Sequence, residues 1–160
     1  MKNPEERKGN RMVELIATAV IMASSLLLFG YWFRYTCLLI LSAKTTRDYA
    51  ASVAQANQLG FVEVQSQLRE VAPQLDRLAA ALDRDYEVLS YLLKHASNAE
   101  GESSLEKLML GINYRVNRAW YGVARRISPA IAARAIEEMS HVVAHFANAM
   151  GERATAGAAA

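Results

Sequence analysis

The chain begins with its most uneven stretch. From Met12 to Phe33 the only charged side chain is Glu14, and the remainder is aliphatic, small or aromatic. A bilayer core needs about 20 consecutive apolar residues at roughly 1.5 Å per helical residue, and this run supplies them. Its C-terminal edge carries Phe29, Tyr31, Trp32, Phe33 and Tyr35 with Arg34 among them. Aromatic rings and a snorkelling cation suit the headgroup boundary. The pattern predicts a transmembrane helix over 12–35, preceded by a polar tail, 1–11. A cleaved signal peptide has a shorter apolar region followed closely by small residues. Here the nearest such site, Leu41-Ser42-Ala43, lies beyond the aromatic cluster, so the anchor is expected to stay. Residues 37–41 remain apolar before Thr45-Thr46-Arg47-Asp48 turns polar. The expectation is one helix leaving the membrane as a stalk over 36–59, broken at Gly60, with the rest of the chain close to the bilayer.

Beyond Gly60 the pattern changes to alternation. Phe61, Val64, Leu68, Val71, Leu75, Leu78, Leu82, Leu89, Leu92 and Ala96 recur at spacings of three and four, interrupted at Asp85. That is a heptad-like seam, with Pro73 marking a kink or a restart. A polar connector, 98–104, contains Gly101, and Ser103 with Glu106 forms a capping box for the next helix. There the apolar series is Leu105, Met109, Ile112, Val116, Ala119 and Val123, flanked by Leu108 and Trp120. Ser128-Pro129 is an N-cap followed by proline at the first helical position. The last series is Ala132, Ile136, Met139, Val143, Phe146 and Met150, with Gly151 as the expected stop. The fold class is therefore all-α: one N-terminal transmembrane helix continuing into a stalk, then an antiparallel bundle of about three helices over 61–153, and a disordered tail, 154–160.

Charge refines this picture more than composition does. The 160-residue chain has a formal net charge of +2, which does not suggest a nucleic-acid binder. Its distribution is uneven: residues 63–106 hold nine acidic and four basic side chains, whereas 107–134 hold six basic ones and no acid. Neighbouring helices with these charges are complementary, and such exposed pairs select register more than they add stability. Arg115, Arg118 and Arg125 fall on one stripe near Trp120, an interaction surface for the acidic helix, a partner protein or anionic lipid headgroups. Four cations before the anchor (Lys2, Arg7, Lys8, Arg11) against three after it (Arg34, Lys44, Arg47) favour a cytoplasmic N-terminus with the helical domain outside. Ala19 and Ala23 make a small-xxx-small pair, a spacing that seats membrane helices and is also common by chance.

Candidate chemistry is sparse. A single cysteine, Cys37, excludes an intramolecular disulfide and a multi-cysteine zinc site. Glu138 and His141 have the Glu-x-x-His spacing of helical metal sites, with His145 one turn further on. A di-metal bundle needs that motif twice, and the chain has it once. Nucleophile elbows, phosphate loops and His-Glu-x-x-His are absent from the sequence. The expectation is a single-pass membrane protein that works by interaction, as an oligomer or an accessory subunit of a membrane complex, without cofactor or catalysis of its own. The alternatives are a sensor signalling through a partner, and a metal-dependent enzyme using the Glu138, His141 and His145 face.

Overall fold

A computed structural model describes residues 4–42, 48–70, 73–95 and 103–158. Val71, Ala96, the polar turn 45–47 and most of the 98–104 connector lie outside the described residues. Among the described residues there are six helices and no strand: α1 Pro4–Ser42, α2 Ala50–Asn57, α3 Phe61–Gln67, α4 Leu75–His95, α5 Ser103–Ala124 and α6 Pro129–Ala158. The chain divides into two compact units, Met1–Leu39 and Ile40–Ala160.

In the first unit, α1 carries a segment, Met12–Ser42, long and apolar enough to cross a membrane. Proline at its first position suits a helix start, because the N–H that proline lacks would have no intrahelical partner there. Helix extends back through most of the tail expected over 1–11. Thr18 and Thr36 donate their hydroxyls to the carbonyls of Glu14 and Trp32, so neither adds an unpaired polar group to the apolar surface. The aromatic cluster stacks along the helix at four-residue spacing, Phe29 on Phe33 and Tyr31 on Tyr35.

The second unit is organised around α6, which touches α2, α3, α4 and α5. Contact on so many sides explains its buried set. Ala132, Ile136, Met139, Val143 and Phe146 of the expected seam are buried, and so are Ala135, Ser140, Val142 and Ala147 beside it. From α3 and α4 the core takes Phe61, Val64, Leu78, Leu82, Leu89 and Leu93, and from the end of α1 Ile40 and Leu41 pack against it. Of the kink or restart expected at Pro73 the structure has the restart: α4 begins at Leu75, and Leu78 N–H reaches back to the Gln74 carbonyl.

Three boundary expectations are corrected. The stalk expected over 36–59 is not one helix: α1 ends at Ser42, and α2 begins at Ala50, whose N–H bonds the Asp48 carboxylate. Gln58, not Gly60, closes α2. It adopts the left-handed conformation (φ 53°) and its N–H returns to the Ala54 and Gln55 carbonyls. Nor does Gly151 stop α6, which runs to Ala158 through most of the tail expected to be disordered. Gly151 is a contact residue: a Cβ there would overlap the Cβ of Tyr49. The missing side chain lets Tyr49 lie on the α6 backbone, where its N–H also bonds Asn148 Oδ1 at 2.8 Å.

Candidate interaction surface

The largest departure from the sequence pattern is in α5. Its buried face is Leu110, Asn113, Tyr114, Asn117, Tyr121 and Ala124. The series expected to face the core lies outside it. Leu105 is 66% exposed, Leu108 59%, Ile112 41%, Val116 56%, Trp120 48% and Val123 51%. Ile127, just past the helix, continues the stripe at 64%. Burying aliphatic surface is normally the stronger driving force. A specific set of bonds holds the helix this way round.

That set is an Asp–Tyr–Arg cluster made twice, seven residues apart on each helix. Asp83 of α4 accepts the Tyr114 hydroxyl at 2.9 Å and Arg118 Nε at 2.7 Å. Asp76, one heptad back on α4, accepts the Tyr121 hydroxyl at 2.7 Å and an Arg125 nitrogen at 2.6 Å. Both phenols are buried, and a buried phenol needs a partner. Burial, and next the bond to its aspartate, pushes each tyrosine hydroxyl above the usual phenol range, so it stays a donor. Donation from Tyr121, then from Arg125, holds the Asp76 carboxyl below its ordinary value. Between the clusters Asn117 donates its amide to the Asn113 carbonyl and side-chain oxygen. Turning α5 to bury its aliphatic stripe would break both clusters and expose two tyrosines.

Of the arginines singled out from the sequence, Arg118 and Arg125 thus meet the acidic helix. Arg115 is exposed beside the aliphatic stripe, and no acidic partner accompanies it among the described residues. Trp120 borders the same stripe. Phe29, Tyr31, Trp32 and Tyr35 are exposed on α1, and Phe33 and Arg34 share that segment.

The structure does not gather Glu138, His141 and His145 into one site. His145 Nε2 lies 2.7 Å from Glu106 Oε1, tying α6 to α5. The Ser103 side chain, the other half of the capping box expected with Glu106, lies outside the described residues. His141 is exposed and borders a cleft of about 210 Å³ with Gln65, Arg69, Arg134, Glu137 and Ser140. The cleft is smaller than typical ligand pockets, which begin at about 300 Å³. Among the described residues no three His, Cys, Asp or Glu side chains lie close enough to hold a metal ion.

A polar residue that the sequence pattern passed over is Asp85, the break in the α4 seam. It is 3% exposed and accepts the backbone N–H groups of Gly60 and Phe61, so it caps α3 from a neighbouring helix. Burial raises its carboxyl above the ordinary value, and its Oδ2 has no hydrogen-bond partner. The signal was present as spacing: an acid inside an apolar heptad, 25 residues after a glycine, does not specify which N–H groups it meets.

No protein-family model, curated protein or solved structure matches this chain. The functional reading therefore rests on its own surface.

Proposed function

We propose that this is a single-pass membrane protein whose helical part works as an interaction module, as an oligomer or an accessory subunit of a membrane complex, without chemistry of its own. The observation that carries the reading is the outward aliphatic stripe of α5. Monomeric soluble domains seldom leave a contiguous apolar strip of this extent uncovered, and such strips mark contact sites. The apolar length of α1 supports the anchor, and the excess of cations before it supports a cytoplasmic N-terminus with the helical part on the opposite side.

The test is assembly that depends on the stripe. Full-length protein is extracted from its own membranes in mild detergent and its mass measured by light scattering, beside the Ile112→Asp/Val116→Asp double variant. The expected result is a species heavier than one chain for wild type, reduced to the single chain in a variant with unchanged circular dichroism. Wild type running as a bare monomer, or a heavier species indifferent to both aspartates, overturns the reading.

A further inference from the structure

We propose that the occupant of the α5 stripe is a second copy of this chain, paired through the same stripe in parallel register, with Arg115 of each copy lying against Trp120 of the other. This deepens the interaction reading above and rests on it.

Spacing is the first argument. Leu105, Met109, Ile112, Val116, Ala119 and Val123 step by four and three along one side of α5. That alternation permits a two-helix seam with an identical neighbour, each residue seated in a hole between four residues of the other helix, and area and charge then choose the second copy. A lipid surface would require only an apolar sector. Turning α5 within its own unit cannot bury the stripe, since the Asp83 and Asp76 clusters fix the rotation of α5 about its axis.

Area is the second argument. Seven large side chains stand between 41% and 66% exposed along the helix and its end. Together they leave several hundred Å² of apolar surface, approaching the ~800 Å² that each partner contributes to a stable pair.

Charge chooses the register. The seam has β-branched or linear residues at one core position (Met109, Val116, Val123) and Leu105, Ile112 and Ala119 at the other. Its flanks are then Leu108, Arg115 and Gly122 on one side and Glu106, Asn113 and Trp120 on the other. Parallel helices set a residue of the first flank against the partner residue five positions on. Arg115 then meets the indole of Trp120, a favourable cation–π contact. Antiparallel helices would set the two Arg115 side chains side by side, a like-charge contact with no acid between 107 and 134 to relieve it.

The test is disulfide trapping of the full-length chain in its native membranes. Cys37→Ser provides the background, and single cysteines are placed at Leu105, Val116 and Val123 on the stripe and at Arg84, exposed on α4, as control. Mild oxidation should trap each stripe position to itself as a dimer of this chain, leave the Arg84 position monomeric, and lose the Leu105 and Val123 products when Ile112→Asp is added. Leu105 and Val123 cysteines that stay monomeric alone and cross-link to each other only when the two variants are expressed together overturn the parallel register. A stripe cysteine trapped to a different protein overturns the second copy and leaves the interaction reading intact. Stripe cysteines that stay monomeric and label freely with a soluble maleimide overturn both. Stripe cysteines that are monomeric and shielded from maleimide until the bilayer is dissolved overturn the second copy in favour of lipid.

Discussion

α5 and α6 carry nearly the same alternation of apolar residues, and they use it in opposite ways. In α6 the series from Ala132 to Phe146 is the centre of the core, covered by four other helices. In α5 the series from Leu105 to Val123 faces outward, and the inward face is two tyrosines and two asparagines tied to one another and to carboxylates on α4. Apolar periodicity reports which residues are better out of water. It does not report which body removes them from it. A helix whose opposite face can satisfy buried hydrogen bonds is free to keep its aliphatic stripe for something else.

The comparison breaks most sharply under paired truncation. Ile136→Ala should lower unfolding stability by about 2–5 kcal/mol, the usual range for emptying a packed site, whereas Ile112→Ala should stay within about 0.5 kcal/mol. Chemical denaturation of the two variants at protein concentrations low enough to dissociate any assembly measures this. Equal losses would mean that the α5 stripe is core after all.

The crowding of α6 is tested next at Gly151. Gly151→Ala should cost about 1–3 kcal/mol, because the new methyl group overlaps the Tyr49 Cβ rather than the end of a flexible side chain. Tyr49→Ala should not relieve that loss, since it keeps the offending atom. A stable Gly151→Ala protein with unchanged thermal unfolding would show that α2 does not lie on α6 there.

The polar inner face of α5 makes its own prediction. Asp83→Ala strands the Tyr114 hydroxyl, which is buried, and should cost about 1–3 kcal/mol. Asp76→Ala strands the Tyr121 hydroxyl too but should cost less, because the Asp76 side chain that receives it stands mostly in solvent (74% exposed) and water can take its place. The order of the two denaturation midpoints decides it, and the reverse order would refute the account of what holds α5.

The smallest effect is a slope. The Asp76 carboxyl is lowered in the fold, so its contribution is present above its ordinary value and lost as pH falls through the folded one. Asp85 is raised by burial, so its contribution has the opposite sense: fully present below the ordinary value and lost as pH rises through the folded one. Asp85→Asn removes only the second slope. Its stability relative to wild type should therefore rise with pH from about 3 to 7, and a difference that stays flat would mean Asp85 titrates normally.

Much of the architecture was legible from residue order. The length of the apolar run in α1, the start of α6 at Ser128-Pro129, the restart after Pro73 and the apolar seams of α3, α4 and α6 all follow from local rules. These depend on neighbours within a few positions, which the chain itself supplies. Arg118 and Arg125 meeting the acidic helix was readable too, since charge blocks survive any reasonable packing. What was not legible depends on a residue far away in the chain. Gly151 reads as a stop until Tyr49 is placed upon it, and Glu106 gives no sign of His145, 39 residues on, until α6 lies beside α5. Asp85 reads as a break in a seam until the α3 backbone meets it.

Residue order alone makes this chain helical, makes one helix apolar enough to span a bilayer, and gives α5 an aliphatic stripe. That the stripe faces outward follows only from how the helices pack. The reason is that hydrophobic surface is non-directional and indifferent to what covers it, whereas the Asp–Tyr–Arg clusters bind α5 in one rotation and take effect only once α4 lies beside it.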